Sequence, residues 1–436
     1  MNINELYSIF LKYPKIYTDS RKVKGRGIFF ALRGNNFNGN LYAEEALKKG
    51  ASIVIVDDNN VNKEKDNRYI YVKNSLIFLQ KLAKKHREQF DIPFIGITGS
   101  NGKTTTKELI ALLLSKKYQV AYTKGNLNNH IGVPLTILNI TKKDSIAVIE
   151  FGASKKGDIK ELCEIANPTH GLITNIGKAH LKEFINIENI LETKTELWEF
   201  LIKRKGTIFI NNEDKLLMKK ARKMLLNINL ENNIFYGKEG DNKNNIDLVD
   251  GSHLLKLKYN NSIIKTNIFG SYNLINIICA IKVASYFSVK SDCIKKLIPK
   301  IGIKNRSEFI KTKKNEVILD AYNANPNSMK IAINNFIDIE NYDIDDKVII
   351  IGDMLELGSY EFKEHENIIR LLEKSPLSND NIFLVGRIFS NMKCKFLKFN
   401  TKENFVEHLK NNLYKNKIIL IKGSRKLELE KLVISL

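Results

Sequence analysis

The segment with the clearest chemical potential is G-S-N-G-K-T-T-T, which occupies Gly99–Thr106. It follows the apolar run Phe94–Thr98 and precedes residues that predict a helix over Lys107–Lys116. Glycines let backbone N–H groups turn toward phosphate oxygens, and the positive end of a following helix favours the same anion. The spacing departs from G-x-x-x-x-G-K-[ST], because Ile97 stands where the first glycine of that pattern belongs. We therefore expect a shortened phosphate-binding loop that holds ATP or GTP.

The side chains of this loop have separable roles. Lys103 is expected to reach the β- and γ-phosphates, and the Thr104 hydroxyl is expected to ligate Mg²⁺. A plain turn between a strand and a helix is the alternative interpretation of the same residues. The predicted nucleotide contacts from the loop are Gly99, Ser100, Asn101, Gly102, Lys103, Thr104 and Thr105.

Three more side chains follow apolar runs that predict buried strands. Glu150 lies at the end of one such run, His180 comes shortly after the next, and Lys194 lies fourteen residues beyond His180. Open α/β sheets bind ligands at the carboxyl ends of their strands, so we expect these groups near the phosphate loop. A carboxylate suits Mg²⁺, and an imidazole is a less usual partner. Taken singly, Glu150 is equally typical of a surface acid at a strand end, His180 of a helix-cap histidine and Lys194 of a solvated helical lysine. Their shared placement after successive strands is what favours a site.

Alternating apolar runs and helical stretches predict an α/β protein of three domains, with boundaries at 1–90, 91–303 and 304–436. The first domain is small, the second has a mainly parallel sheet, and the third is Rossmann-like. Residues 245–269 alternate apolar and polar side chains, which predicts an antiparallel hairpin. The predicted strands are Gly27–Leu32, Ser52–Val56, Tyr69–Val72, Phe94–Thr98, Ile146–Phe151, Leu172–Asn175, Thr207–Asn211, Val317–Ala321, Val348–Asp353, Ile382–Val385 and Ile418–Lys422, and Ser75–Phe90 is predicted helical.

Composition limits the alternatives. The chain has 436 residues, with 70 Lys and Arg against 48 Asp and Glu, and its net charge of +22 invites a nucleic-acid partner. The basic residues are scattered among acids rather than clustered, which argues against that partner. No targeting signal or run of about 18 apolar residues is visible. The four cysteines form no C-x-x-C pair. We expect a reduced, cytoplasmic monomer without a membrane or nucleic-acid partner.

Taken together, these segments resemble the Mur ligases, the ATP-dependent amide-forming enzymes of peptidoglycan precursor synthesis. Gly270–Asn276 resembles the family's G-x-H-N-x-x-N segment, with Tyr272 where His is usual. Asn305–Glu308 resembles its G-R-x-E segment, with Asn305 in place of Gly. The resemblance implies catalytic roles for Lys103, Glu150, His180 and Lys194, metal contacts from Thr104, Glu150, His180 and Lys194, and nucleotide contacts from Asn273, Asn276, Arg306 and Asp320.

Four segments point to the branch of this family that adds D-alanyl-D-alanine to UDP-N-acetylmuramoyl-tripeptide. They begin at Thr18, Asn126, Asp320 and Gly352, and the last has His365 downstream. The motifs of the diamino-acid-adding branch, D-Y-A-H-x-P and D-N-P-R, are absent from the sequence. The resemblance implies substrate contacts from Ser20, Arg21, Asn126, Asn128, Asn129, Tyr322, Asn323 and Asn325.

The implied reaction activates the tripeptide carboxylate as an acyl phosphate, which the amine of the dipeptide then attacks. The resemblance also implies two Mg²⁺ ions and a Lys194 that is often carbamylated in the family. Lys422–Arg425 ends a predicted strand and either faces a ligand or forms a plain basic turn. The competing hypotheses are another Mur-like amino-acid-adding ligase, a Mur-like domain that binds without catalysing, and a nucleic-acid-dependent NTPase.

Overall fold

We describe the protein from a computed structural model. The description covers residues 1–34, 37–61, 66–177, 184, 186–225, 233–237, 246–251, 254–300, 305–412 and 414–436. Within these ranges the strands form a four-stranded, a six-stranded and a nine-stranded sheet, together with a two-stranded ribbon. The three large sheets follow one another along the chain, so the predicted α/β architecture is confirmed.

The first sheet is parallel, with strand order β1-β2-β5-β6. Its side chains pack against the helices of the same block, and the last of these helices also packs against the next block. The Asn74 side chain caps that helix by accepting from the N–H of Ile77. The elements are α1 (Ile3–Lys12), β1 (Ile16–Tyr17), β2 (Ile28–Phe30), the ribbon β3 (Arg33–Gly34) and β4 (Phe37–Asn38), α2 (Ala43–Lys48), β5 (Ile53–Val56), β6 (Tyr69–Tyr71) and α3 (Ser75–Arg87).

Arg87, the last residue of α3, joins the first block to the second. Its guanidinium carbon lies 3.6 Å from the centroid of the Phe94 ring, and its N–H groups donate to the carbonyls of Ala166 and Asn167. Burial lowers the pKa of Arg87 to about 10. The cation is satisfied by carbonyls and an aromatic face rather than by an acid, which fixes the small domain on the larger one.

The second sheet is parallel, with order β12-β11-β10-β7-β9-β8. Its central strands are buried along their full length, as expected for strands covered by helices on both faces. The elements are β7 (Phe94–Thr98), α4 (Lys103–Leu114), β8 (Val120–Tyr122), α5 (Gly132–Leu138), β9 (Ile146–Glu150), α6 (Asp158–Ala166), β10 (His170–Ile173), α7 (Ile187–Lys203), β11 (Thr207–Asn211), α8 (Lys215–Leu225), β12 (Asn233–Tyr236), α9 (Leu274–Tyr286) and α10 (Ser291–Leu297).

The start of α4 corrects the sequence prediction. The helix begins at Lys103 rather than Lys107, with Gly102 as its cap at φ +78°. Three consecutive threonines are poor helix formers, which is why sequence reasoning began the helix later. Here they are buried in the first turn against the sheet and α9, and tertiary packing outweighs propensity. The positive end of α4 is thereby brought to the glycine loop itself.

The third sheet contains nine strands in the order β13-β14-β15-β16-β17-β21-β18-β19-β20. The predicted hairpin is confirmed, and its turn residues Asn260 and Asn261 both have positive φ. Sequence analysis did not foresee that this hairpin joins the sheet of the C-terminal block. The elements are β13 (Ile246–Asp250), β14 (Leu254–Tyr259), β15 (Ser262–Phe269), β16 (Glu308–Lys311), β17 (Glu316–Asp320), α11 (Pro326–Ile337), β18 (Lys347–Gly352), α12 (Glu361–Glu373), β19 (Ile382–Val385), α13 (Arg387–Ser390), β20 (Leu397–Phe399), α14 (Lys402–Asn411) and β21 (Ile418–Lys422).

The junction between the hairpin and the C-terminal strands is narrow. β15 pairs with β16 at one position, Ile268 with Glu308, whereas β16 and β17 pair at four positions. From β17 to β20 the sheet is parallel, as a Rossmann-like domain requires. In the described part of the chain, no helix combines the length and apolar character needed to cross a membrane.

Candidate active site

The glycine loop between β7 and α4 is built for close approach of backbone to ligand. Gly99 has φ +142°, and a Cβ atom at this position would lie 2.0 Å from the Thr174 hydroxyl oxygen. Gly102 has φ +78°, and a Cβ there would lie 2.6 Å from Asn276 Oδ1. Both positions therefore require glycine for backbone conformation and for space.

The neighbouring strand β10 holds the loop in shape. The Thr174 hydroxyl and the Asn175 amide donate to the carbonyl of Asn101 at 2.6 and 3.0 Å, and the N–H of Asn101 donates to Asn175 Oδ1. The Ser100 hydroxyl exchanges hydrogen bonds with the backbone of Gly177. Sequence reasoning missed this support, although polar residues directly after a buried strand were the available signal. The loop is preorganised rather than shaped by its ligand.

Lys103 curls back over the loop. Its Nζ donates to the carbonyls of Gly99 and Ser100 at 2.6 and 3.2 Å. Burial lowers the pKa of Lys103 to about 8, the charge of Glu150 opposes that change, and the charge of Arg306 adds to it. The ammonium group thus lies at the centre of the loop, where phosphate oxygens can replace the two carbonyls as its partners.

Glu150 ends β9 and is almost completely buried beside the loop, with 1% of its surface exposed. The Thr104 hydroxyl donates to its two carboxylate oxygens at 3.2 and 3.0 Å, and Asn128 Nδ2 donates to Oε1 at 2.9 Å. Lys107 Nζ lies 3.5 Å from Oε2. Asn128 belongs to the loop that follows β8, so the carboxylate links that loop to the phosphate-binding helix.

The residues around Glu150 fit a magnesium ion. Mg²⁺ prefers hard oxygen ligands and is usually bound by one or two carboxylates together with phosphate oxygens. Glu150 and the Thr104 hydroxyl supply such oxygens at the phosphate loop. Within the described ranges, no three His, Cys, Asp or Glu side chains cluster as a self-contained metal site. A cation here would therefore be held jointly by the protein and the phosphates.

Lys107 was not predicted from the sequence, although it lies one helical turn after Lys103. Its side chain is fully buried, and Nζ contacts Glu108, Glu150 and the carbonyl of Gly125. It thereby ties α4, β9 and the start of the Asn126–Pro134 loop together.

We expect Lys107→Met to lower the free energy of unfolding by about 3–5 kcal/mol, because Glu150 is left buried without its cation. Urea denaturation measures this change. Lys116→Met is the matched control, since Lys116 is exposed just beyond the same helix and its loss should cost less than about 0.5 kcal/mol. Equal losses in the two variants would show that the buried ion pair contributes nothing.

Lys194 lies on α7 and is buried, with 3% of its surface exposed. Burial lowers the pKa of its amine well below the ordinary value, and the positive charge of Lys103 adds to this while Asp158 and Glu196 oppose it. Unlike Lys103, Lys194 does not line the cleft between the central and C-terminal domains, and its Nζ lies 5.6 Å from the centroid of the Phe184 ring. The other residue predicted here, His180, lies outside the described residues.

The nucleotide contacts predicted on α9 lie against the glycine loop. The Thr106 hydroxyl donates to Asn276 Oδ1 at 3.2 Å, and Asn276 Nδ2 donates to Asn273 Oδ1 at 3.0 Å. Tyr272, which stands where the family usually has His, shares a 2.6 Å hydrogen bond with the Ser307 hydroxyl, and burial raises the pKa of its phenol. Tyr272 thus joins α9 to the entrance of the C-terminal domain.

A cleft separates the phosphate loop from the C-terminal domain, and side chains of that domain form the cleft wall opposite the loop. The guanidinium carbons of Arg306 and Arg425 lie 4.0 and 4.9 Å from the centroid of the Tyr322 ring. Lys422 pairs with Asp320 at 2.5 Å. Arg306 lines the cleft between the two domains, and its Nε is buried without a hydrogen-bond partner in the described structure.

One contact joins this wall directly to the phosphate loop. Asn325 caps α11 by accepting from the N–H of Ser328, and its Nδ2 donates to Asn101 Oδ1 at 2.7 Å. Asn323 is exposed beside it, and its Oδ1 accepts from the N–H of Ala324. The C-terminal domain therefore already touches the phosphate loop in this arrangement.

Both walls enclose one cleft of about 820 Å³. Most of the residues predicted from the sequence line it, including all those on the loop after β8. Asn129 also uses its Oδ1 within that loop, where it accepts from the N–H groups of Ile131 and Gly132. The predicted residues in the lining are Ser100, Asn101, Gly102, Lys103, Thr104, Thr105, Asn126, Asn128, Asn129, Glu150, Asn273, Asn276, Arg306, Asp320, Tyr322, Asn323 and Asn325.

Two predicted substrate residues lie apart from this cleft. Ser20 is buried in the N-terminal domain and donates to Glu45 at 3.0 Å. Arg21 is exposed and forms two hydrogen bonds with Asp19. A substrate that contacts both regions must be long enough to extend from the N-terminal domain to the phosphate loop.

The G-D-M-L-E-L-G segment has a positioning role in this structure. Both carboxylate oxygens of Asp353 accept backbone N–H groups at the start of α13, from Ile388 and Phe389. His365 Nε2 accepts from the N–H of Met354 at 2.9 Å, and burial lowers the pKa of this imidazole. Neither side chain lines the cleft. Their hydrogen bonds fix the carboxyl end of β18 at the cleft wall.

The chain matches three family models in succession. Residues 12–87 match the "Mur ligase family, catalytic domain", residues 97–284 the "Mur ligase middle domain", and residues 305–425 the "Mur ligase, glutamate ligase domain". Among curated relatives, the UDP-N-acetylmuramoyl-tripeptide–D-alanyl-D-alanine ligase of Bacillus subtilis is 34% identical. That alignment covers 96% of this chain and 92% of the relative.

Solved structures agree with the sequence matches. A crystal structure of MurF from Acinetobacter baumannii has a TM-score of 0.82 at 29% identity, covering 96% of this chain and 92% of that one. MurF from Thermotoga maritima in complex with ADP has a TM-score of 0.76 at 28% identity, covering 97% of this chain and 96% of that one. The chain therefore belongs to the Mur ligase family.

Proposed function

We propose that this protein is an ATP-dependent ligase that adds D-alanyl-D-alanine to UDP-N-acetylmuramoyl-tripeptide in peptidoglycan precursor synthesis. The full-length similarity to ligases of that name supports the proposal. The observation that carries it is the hydrogen bond from Asn128 to Glu150. It joins the loop that resembles the substrate loop of this branch to the carboxylate at the phosphate site.

The reaction phosphorylates the terminal carboxylate of the tripeptide and then replaces that phosphate by the amine of the dipeptide. Negative charge accumulates on phosphoryl and carboxyl oxygens in both steps, so fixed cations matter more than proton carriers. Lys103 lies at the phosphate loop for this purpose, and Arg306 approaches from the opposite wall. Asn101 and Asn325 hold the two walls together around the reacting groups.

Thr104 and Glu150 are the residues that would hold Mg²⁺ at the phosphates, and the ion would supply Lewis-acid stabilisation of the developing charge. We propose that His180 and Lys194 serve a second such ion. Burial lowers the pKa of the Lys194 amine and so favours its neutral form, which is the form that reacts with carbon dioxide, and this supports a carbamylated Lys194. The carbamate would convert a cation into an anionic oxygen ligand.

We assign the three blocks to the three reactants. Residues 1–90 would bind the UDP-sugar through Ser20 and Arg21, residues 91–303 would bind ATP, and residues 304–436 would bind the dipeptide. Closure of the third block over the cleft would exclude water from the acyl phosphate, which water hydrolyses. We further propose that the protein works as a monomer in the cytoplasm, where ATP and UDP-linked sugars are available.

We expect phosphate release to require ATP, UDP-N-acetylmuramoyl-tripeptide and D-alanyl-D-alanine together. A coupled phosphate assay would compare the dipeptide with D-alanine, L-alanine, L-lysine, diaminopimelate and L-glutamate, using both the lysine and the diaminopimelate form of the tripeptide. The dipeptide should be preferred at least about a hundredfold, because a site built for its second residue leaves polar groups unpaired with single amino acids. Equal rates with another amine would assign the chain to a different branch of the family, and stimulation of ATP hydrolysis by DNA would revive the nucleic-acid hypothesis.

A further inference from the structure

The cleft contains several cations with different surroundings. Lys103 is committed to the phosphate loop, where its Nζ contacts two loop carbonyls. Arg306 lines the same cleft as Lys103, and its charge helps to lower the pKa of that amine. Lys422 is buried and is neutralised by Asp320. A further cation on the C-terminal wall, Arg425, neither donates a hydrogen bond to the phosphate loop nor is neutralised by an acid among the described residues.

Arg425 is exposed in the cleft and, among the residues that the structure describes, has no acidic partner. Its Nη1 donates to the Tyr322 hydroxyl at 3.1 Å, and its guanidinium carbon lies 4.9 Å from the centroid of that ring. A guanidinium group has five N–H donors, so the contact with Tyr322 leaves donors enough for a bidentate carboxylate. The aromatic ring limits the freedom of the side chain, which reduces the entropic cost of binding.

The backbone that carries Arg425 is also fixed. Ser424 donates its N–H to the carbonyl of Asp353, and its hydroxyl accepts from the N–H of Leu355 at 2.9 Å. The carbonyl of Arg425 accepts from the N–H of Glu428. These bonds tie the turn after β21 to the carboxyl end of β18. Arg425 is therefore a cation on a rigid turn rather than a residue of a loose surface loop.

We propose that Arg425 binds the terminal carboxylate of the amino substrate and so selects a dipeptide over a single amino acid. This inference rests on the proposed function, because it names the residue that recognises one end of D-alanyl-D-alanine. Arg425 is a binding and specificity residue and takes no part in the chemical steps. Tyr322 positions its guanidinium group.

The length of the substrate explains how this cation could distinguish a dipeptide from a single amino acid. A dipeptide extends about 7 Å, at 3.3–3.6 Å per residue. Arg306 and Arg425 contact the same Tyr322 ring, so the phosphate region and the carboxylate-binding cation are near neighbours. A dipeptide whose carboxylate is on Arg425 places its amine one dipeptide length away, toward the phosphate side. A single amino acid bound in the same way would hold its amine about 3.3–3.6 Å, one residue length, closer to Arg425.

The experiment compares D-alanyl-D-alanine with D-alanyl-D-alaninamide, which lacks the carboxylate charge, in the full-length protein. With the native protein, the amide should have a KM about 10- to 100-fold higher, the range expected for a charge-assisted hydrogen bond. Arg425→Gln should raise the KM of the dipeptide by a similar factor and leave the KM of the amide within about twofold. Arg425→Lys should recover part of the loss, because it restores charge without the bidentate geometry. The kcat for the dipeptide and the KM of ATP should stay unchanged in both variants.

Arg387→Gln is the matched control, since Arg387 is exposed on the same domain and does not line the cleft. Equal effects of Arg425→Gln on the dipeptide and the amide would assign Arg425 a structural role and overturn the proposal. An unchanged KM for both substrates would overturn it as well. Failure of the proposed function is a different result, because the native protein would then not ligate D-alanyl-D-alanine at all.

Discussion

Lys103→Ala is expected to abolish ATP-dependent ligation, with kcat/KM at least about a thousandfold below that of the native protein. The physical reason is the position of the ammonium group, which lies at the centre of a loop already shaped for phosphate. Without it, the charge that develops during phosphoryl transfer has lost its nearest fixed cation. Initial rates of phosphate release over a range of ATP concentrations, with the other two substrates saturating, measure the effect.

The fold should survive this substitution. Among the residues that the structure describes, Lys103 Nζ donates only to carbonyls of its own loop, and the loop is held independently by Thr174 and Asn175. The circular dichroism spectrum should therefore be unchanged, and the melting temperature should shift by only a few degrees. A folded Lys103→Ala variant with native activity would remove the phosphate loop from the mechanism. Lys103→Arg should remain impaired, because the larger fork does not fit a point-charge site.

Glu150→Gln is expected to lower kcat about a thousandfold through loss of the anionic oxygen that would hold Mg²⁺. It should also destabilise the protein, because Lys107 then loses its buried carboxylate partner and keeps only the more exposed Glu108. The double variant Glu150→Gln, Lys107→Met separates these two effects. It removes both charges, so stability should largely return while activity should not.

Calorimetric titration with a non-hydrolysable ATP analogue gives a second measurement. Magnesium should strengthen nucleotide binding less in the Glu150→Gln variant than in the native protein. If the double variant regained activity together with stability, Glu150 would be a structural residue, and its assignment as a metal ligand would be wrong.

The sequence predicted the architecture well because its buried strands are continuous apolar runs. β7, β11, β19 and β21 have the predicted bounds, and the hairpin at Asn260 and Asn261 is where its turn residues indicate. The predicted start of α4 was wrong, because the three threonines are held in the helix by tertiary packing, which helix propensity does not include. The membership of the hairpin in the C-terminal sheet was not predictable, since alternation reveals a strand but not its partner.

The sequence predicted the individual residues of the candidate site but not the contacts that join them. Glycines and a lysine at fixed spacing identify a phosphate loop, because local backbone geometry requires them. The contacts made by Lys107, Thr174 and Asn325 join residues that are distant in the chain. No local pattern encodes such contacts. Asp353 and His365 belong to a segment that carried part of the family resemblance, and in the structure they position a cleft wall and do not line the cleft.

The single residue pair between β15 and β16 has a mechanical consequence. A sheet bends most easily where the fewest hydrogen bonds resist, so we expect the sheet to bend between Ile268 and Glu308. The hydrogen bonds of Ser271 with Asn335 and of Tyr272 with Ser307, beside this point, limit the bend. We expect the C-terminal domain to rotate about this junction while it stays beside the phosphate loop, which Asn325 contacts. Its tether gives Arg306 and Asn325 a high effective concentration at the phosphate loop before any substrate arrives. The junction between β15 and β16 thus limits how far the C-terminal domain can move. Substitutions that stiffen this junction should change the rate at which that domain closes over the cleft, without altering any group that touches a reactant.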